Sequence, residues 1–294
     1  MTTTTERPRW RKNRQLPYGL YVAPAWLLLL GVVLVPFILG VWTSTRNTSL
    51  LSPTDDFVGT DNYTALFGGG DFWQALLVTA VISVLSLAIQ LPIGFLIAVV
   101  IHRELRGTIV FRSALLLPML LTPVAVGLMW RLMMNIDNGV IAGTLRTFGL
   151  PAIDWLGDKN IAILSIVLVD SWQNIPFVML LLLAGLQSLP ASPLEAARVD
   201  GANTAQLYRH IILPLLAPVS LVVVMIRVVE SIKLFDIIYI LTSGGPGTAT
   251  QNISLLAFRT GFTFLQTSSA AALGVVILIG LTPVYLLWRR ANRA

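Results

Sequence analysis

Six stretches of this chain are apolar for long enough to cross a bilayer as helix, which takes about 20 residues: 19–43, 74–101, 109–134, 161–188, 214–241 and 268–288. The pattern predicts an all-α polytopic membrane protein with six transmembrane helices. Residues 1–18 read as a basic tail and 44–73 as an outer loop with a short amphipathic helix. Residues 74–288 then form a five-helix core, and 289–294 a second short tail. Pro24, Pro36, Pro92, Pro118, Pro123 and Pro176 fall inside spans. Each frees a backbone carbonyl that neighbours must satisfy, and several in one bundle suit helices bent around a cavity.

Basic residues set the orientation. With the N-terminus inside, the inner segments hold thirteen Arg and Lys: Arg7, Arg9, Arg11, Lys12, Arg14, Arg103, Arg106, Arg112, Arg198, Arg209, Arg289, Arg290 and Arg293. The outer loops hold four: Arg46, Arg146, Lys159 and Arg259. Both termini are therefore predicted to be cytoplasmic. The first span is too long for a signal-peptide core and lacks a small-residue cleavage site before Arg46, so it reads as retained. The basic N-terminal cluster is then a topology signal and lipid-surface anchor rather than a nucleic-acid arm.

Composition agrees with that picture and removes several function classes. Charged residues make up 12% of the chain against 55% hydrophobic ones, whereas a soluble domain carries roughly a quarter as charged. The chain is solvated mainly by lipid. It has no cysteine, hence no disulfide and no thiolate metal site. A G-x-x-x-x-G-K-[ST] phosphate loop is absent, so the polypeptide does not itself hydrolyse ATP. Its two histidines, His102 and His210, fall at the inner surface without partners for a metal site or a catalytic triad. An enzyme is not expected, nor a cofactor held by this chain.

Ionisable residues at membrane depth are costly and mark pathways or pairs. Here they concentrate on two spans. Asp170, Gln173, Asn174 and Phe177 share one helix face on the fourth, and Arg227, Glu230, Ser231 and Leu234 repeat the same spacing on the fifth. Two such faces suggest a shared hydrophilic cavity. Carboxylates accept from hydroxyls, amides both donate and accept, and Phe177 offers a ring face to C–H groups. Arg227 can pair with Glu230 or Asp170, lowering the cost of burying either. The plainer reading of Arg227, Glu230, Lys233 and Asp236 is a set of ion pairs that hold the bundle. It is preferred for Lys233 and Asp236, and Arg131 is expected to snorkel to the interface.

Between these two spans lie Glu195-Ala196-Ala197, then Gly201, then Ile211-Ile212-Leu213-Pro214, which is EAA-x3-G-x9-I-x-L-P. Helix formers open the stretch, Gly201 allows a tight turn, and Pro214 restarts a helix. Residues 190–213 resemble the EAA loop of permease subunits in ABC importers. Phe57-Val58-Gly59, Asn62-Tyr63 and Leu66-Phe67 in the outer loop, and Leu241-Thr242-Ser243-Gly244-Gly245-Pro246 followed by a threonine, resemble the carbohydrate permeases of the maltose type.

The resemblance implies a type I ABC importer permease fold with a cytoplasmic EAA coupling helix, in a bacterial inner (plasma) membrane. It implies a second homologous permease, two ATP-binding subunits that hold the ATP and Mg, an extracytoplasmic solute-binding protein, and a small carbohydrate substrate. Contact with the ATPase would involve Glu195, Ala196, Ala197, Asp200, Gly201 and Leu207, with Glu195 holding the loop or meeting a basic group and Leu207 packing inside a cleft of the ATPase. Carried over position by position, the sugar-contacting residues fall on Asp170, Gln173, Asn174, Phe177, Arg227, Glu230, Ser231 and Leu234. Most side chains there differ from the maltose permease, which implies a similar place and a different ligand. Asp170 and Glu230 against Arg227 leave a slightly negative pocket, which favours a neutral sugar or sugar alcohol over glycerol 3-phosphate. Replacing Asp170 or Glu230 by Ala is expected to impair uptake without loss of protein. Other readings are an ion- or proton-coupled secondary transporter using Asp170, Glu230 and Lys233 as a relay, and a non-transporting membrane anchor.

Overall fold

Lipid offers the backbone no hydrogen-bond partner, so apolar stretches must satisfy themselves as helices. A computed structural model of the chain describes residues 18–49, 52–102 and 108–291. The basic tail, the basic inner turn after His102 and the last tail residues lie outside the described residues.

Helix α1 (Tyr18–Ser44) leads into a small antiparallel hairpin, β1 (Arg46–Ser49) and β2 (Ser52–Phe57), the one pairing of strands among the described residues. It is an addition to the expected all-α chain. Arg46 at its base bonds the Asp55 carboxylate at 2.7 Å and packs over the Trp42 ring. Helix α2 (Asp61–Gly68) and the long α3 (Gly70–His102) follow. Next come α4 (Thr108–Leu120), α5 (Pro123–Met133), α6 (Val140–Thr147) and the long α7 (Lys159–Gln187). Helices α8 (Ala191–Val199) and α9 (Thr204–Leu207) form an elbow that runs through a π-turn into α10 (Leu213–Ile232). The chain closes with α11 (Asp236–Leu241), α12 (Ile253–Phe258) and α13 (Thr267–Ala291).

Among the described residues, four helices are individually long and apolar enough to cross a membrane, and α4 with α5 forms a fifth, bent candidate. Helix α13 carries a shorter apolar stretch, Thr267–Pro283. Two expected spans are not continuous. The third breaks between α4 and α5 with a bend of 98°. Thr122 there is extended (φ −66°, ψ 140°) because it precedes Pro123. The fifth breaks after α10, at 233–235, where side chains take over the freed carbonyls: Ser254 donates to Ile232 and Asn252 to Leu234.

The bundle is built on α3 against α7, with α10 alongside. Close approach of these helices needs small residues. A Cβ on Gly94 of α3 would lie 2.7 Å from Val178 Cγ1 of α7, and one on Gly185 of α7 would lie 2.7 Å from Leu216 Cδ1 of α10. Helix α1 packs against α13 and leaves its apolar side chains exposed, as a lipid-facing helix does. Arg131 finds a partner within the protein, donating to the Ile240 carbonyl at 3.0 Å.

After α11 the chain turns through Ser243 (φ +50°) and Gly244 (φ +85°), left-handed backbone that glycine adopts without strain. The Thr242 and Thr250 hydroxyls meet at 2.7 Å, and Thr250 also donates to the Gly245 carbonyl at 2.8 Å. Arg259 closes the turn by bonding Gln251 and the Ser243 carbonyl. The threonine that follows the glycines is therefore a structural strut of this turn.

Candidate functional site

The polar faces of α7 and α10 meet, and a third helix joins them. Arg227 Nη2 donates to both oxygens of Asp170, at 3.1 and 3.0 Å. Arg227 Nε donates to Gln90 Oε1 at 2.8 Å, and Gln90 Nε2 donates to Asp170 Oδ2 at 2.8 Å. The result is a closed triangle between α3, α7 and α10. Asn174 adds a bond to Asp170 Oδ1 at 3.0 Å, so both carboxylate oxygens are engaged twice. All three members are buried, with relative exposures of 1% for Asp170, 0% for Gln90 and 3% for Arg227. An ion pair this deep is tolerated only when its remaining hydrogen-bonding capacity is met, and the triangle meets most of it. Of the two pairings open to Arg227, the one with Asp170 is realised; Glu230 instead pairs with Lys233 at 3.0 Å, both half-exposed.

A half-open cleft of about 280 Å³ lies against this triangle. Six candidate positions line it: Asp170, Gln173, Asn174, Arg227, Glu230 and Leu234. Two do not. Phe177 is half-buried away from the lining, and Ser231 is buried with no hydroxyl partner among the described residues. Both helix breaks come to the cleft, through Leu121 and Pro123 on one side and Lys233 to Asp236 on the other. Gln173 donates to the Leu121 carbonyl at 3.0 Å, supplying the partner that the break removed. The aromatic ring in the lining is Phe235, stacked on Tyr239 with centroids 5.2 Å apart.

The electrostatics of the lining follow from the pairing. Asp170 cancels Arg227 and Glu230 cancels Lys233, which leaves the exposed carboxylate of Asp236 as the surplus charge. With its oxygens saturated, Asp170 has little to offer a ligand. Arg227 Nη1 has no partner among the described residues and is the guanidinium nitrogen left for the cleft. Glu230, Lys233 and Asp236 complete a set of donors and acceptors suited to hydroxyl groups.

Gln90 escaped the sequence reading, which weighed ionisable residues and therefore two spans. The signal was one amide, Gln90, in the apolar run between Ser86 and Pro92 of the second span.

The elbow is shaped by local rules. Helix α8 contains Glu195, Ala196 and Ala197 and ends at Gly201 (φ +82°). The Ala202 N–H bonds the Ala197 carbonyl at 2.9 Å and the Gly201 N–H the Arg198 carbonyl at 3.1 Å, the paired closure of a Schellman motif. Asn203 then caps α9 in a reciprocal box with Gln206, both bonds at 2.9 Å. Glu195, Ala196, Asp200 and Gly201 are exposed, as is Val199, whose relative exposure is 87%. Ala197 and Leu207 are different. They are buried within the chain, in one apolar cluster with Ile101 of α3, Leu186 of α7 and Leu216 of α10. Leu207 thus anchors the elbow to its own bundle, because the capped turn of α9 points it inward.

A family model described as the binding-protein-dependent transport system inner membrane component matches residues 90–294. The chain is 35% identical to a probable ABC transporter permease protein, y4oQ, of Sinorhizobium fredii, over 96% of this chain and 92% of that one. It is 34% identical to the trehalose/maltose transport system permease protein MalF of Thermococcus litoralis, over 96% and 97% of the two chains. Its fold is similar to that of a bacterial ABC transporter involved in the import of the acidic polysaccharide alginate, with a TM-score of 0.80, 23% identity and coverage of 94% of this chain and 95% of that one.

Proposed function

The chain belongs to the family of binding-protein-dependent transport inner membrane components and is a multi-pass permease subunit of an ABC importer, and we propose that the cleft between α7 and α10 holds a neutral sugar or sugar alcohol during passage. Such a permease works with a second permease, ATP-binding subunits and a solute-binding protein; ATP and its Mg reside on the ATP-binding subunits. The observation that carries the proposal is the gathering of Asn174, Arg227, Glu230 and Asp236 around one cleft at two helix breaks, with charges paired to leave a single surplus carboxylate. Such a lining offers hydroxyl groups many partners and gives a phosphate no unpaired cation. The trehalose/maltose relative supports a sugar over other polar solutes.

In this reading Asp170 orients Arg227, and Arg227 Nη1, Glu230 and Asp236 make the polar contacts. Phe235 supplies the ring expected of Phe177. In the same reading the chain makes six passes with both termini cytoplasmic, and the elbow meets the ATPase through Glu195, Ala196, Val199, Asp200 and Gly201 while Ala197 and Leu207 fasten it to the bundle. ATP-driven motion then exchanges inward- and outward-facing states around the cleft. A carboxylate relay for ion coupling is disfavoured because Asp170 is locked in its pair and Glu230 in its own.

The test is uptake by the reconstituted importer with its binding protein, comparing a panel of neutral sugars and polyols with sugar phosphates. Neutral solutes are expected to be taken up and phosphates not. Comparable uptake of a phosphate ester contradicts the proposal.

A further inference from the structure

We propose that Gln90 is a positioning residue that makes the elbow and the cleft move as one body. The inference rests on the reading of the elbow as the ATPase dock. The same three helices are tied together at two levels. At the elbow, Ala98 and Ile101 of α3, Leu183 and Leu186 of α7, and Leu216 of α10 pack with Ala197 and Leu207 in a dry cluster. At the cleft, Gln90 of α3, Asp170 of α7 and Arg227 of α10 close the polar triangle. The far end of the cluster lies about 16 Å from the triangle along α3 and α10, eleven residues each, and about 24 Å along α7, sixteen residues, at about 1.5 Å per residue.

A single tie between three helices leaves them free to pivot; a second tie at a distance removes that freedom. The contacts of α3 with α7 below the cleft are tight, as the Gly94–Val178 approach shows. The ion pair by itself joins only α7 to α10. Beyond the triangle α3 and α7 stay packed through Val78, Ile82, Ile166 and Val169, so Gln90 is the group that ties α10 to that pair, through one bond to Arg227 and one to Asp170. Both groups it touches line the cleft. A push on the elbow is therefore delivered to the two helices that form the cleft walls and to α3 together. Without Gln90, α10 keeps its ion pair with α7 but loses its side-chain bond to α3 and pivots about that pair.

The chain has no cysteine, so a single introduced thiol reports one place. Lys233 is 58% exposed in the cleft lining. The test follows maleimide labelling of Lys233→Cys on this chain in the complete importer in nanodiscs, with and without ATP–vanadate trapping, in the native background and with Gln90→Met. Methionine preserves length and removes both hydrogen bonds. With Gln90, trapping is expected to change the labelling rate about fivefold or more, and with Gln90→Met by less than about twofold, while ATP hydrolysis and subunit recovery persist. Phe148→Cys, at an exposed site after α6, serves as an external thiol whose labelling stays constant.

If Gln90→Met responds to trapping as the native chain does, the proposal is overturned. If trapping leaves Lys233→Cys unchanged even with Gln90 present, the docking reading fails and the proposal with it. Should Gln90→Met not assemble, Gln90→Asn takes its place: one methylene shorter, it must give up one of the two bonds, and a full native response would again overturn the inference.

Discussion

Removing the Asp170 carboxylate should destabilise the protein, not merely its transport. In Asp170→Ala the Arg227 guanidinium stays buried at 3% exposure with its counter-charge gone, and Gln90 and Asn174 each lose an acceptor. Charge centres about 4 Å apart attract by about 4 kcal/mol at an effective dielectric near 20, in line with about 3–5 kcal/mol measured when one partner of a buried pair is removed. At about 2 °C per kcal/mol for a chain of this size, melting should fall by about 6–10 °C. The assay is thermal denaturation of the purified importer followed by tryptophan fluorescence. The sharper arm is the triple variant Asp170→Leu, Arg227→Met, Gln90→Met. It removes the charges together with the amide that would be orphaned, and should recover most of the loss, since well-packed apolar replacements of buried ion pairs are close to neutral. The reasoning fails if Asp170→Ala melts with the native protein, or if the triple variant melts no higher than the single one. This outcome replaces the expectation, drawn from sequence, that Asp170→Ala would spare the protein.

Glu230→Ala should behave differently, because Glu230 is half-exposed and pairs only with Lys233: protein recovery unchanged, half-saturation for sugar raised roughly tenfold, in reconstituted uptake. Gly201→Asp should cost about 1–2 kcal/mol by forcing a side chain into left-handed backbone, and should lower binding-protein-stimulated ATP hydrolysis without dissociating the two permeases. Gly94→Ala should lower the melting temperature by the equivalent of about 1–3 kcal/mol through its clash with Val178, and Val178→Ala should partly restore it.

The sequence carried some of this directly and was silent on the rest. Long apolar runs located α1, α3, α7 and α13 to within a few residues, since only a helix satisfies the backbone in lipid. Apolarity says nothing of direction and so did not reveal the breaks after Leu120 and Ile232; Pro123 marked the first, while the second depends on Asn252 and Ser254, which arrive from elsewhere in the chain. Helical spacing brought Asp170, Gln173 and Asn174 onto one face, but a face runs the length of a helix and the cleft does not. Phe177 lies two turns from Asp170, beyond its end. Gln90 was illegible for another reason: an uncharged amide in an apolar helix becomes conspicuous only when two buried charges are found against it. In the elbow, the turn at Gly201 followed from residue type, whereas the inward direction of Leu207 is set by the cluster it joins.

The central claim is that the elbow between α7 and α10 receives the ATPase. Val199, the most exposed apolar side chain of α8 at 87% relative exposure, tests it most directly when replaced by cysteine in this cysteine-free chain. Labelling by a water-soluble maleimide should be fast on the permease pair alone and suppressed once the ATP-binding subunits are added. Equally fast labelling in the complete, ATP-hydrolysing importer would contradict the account.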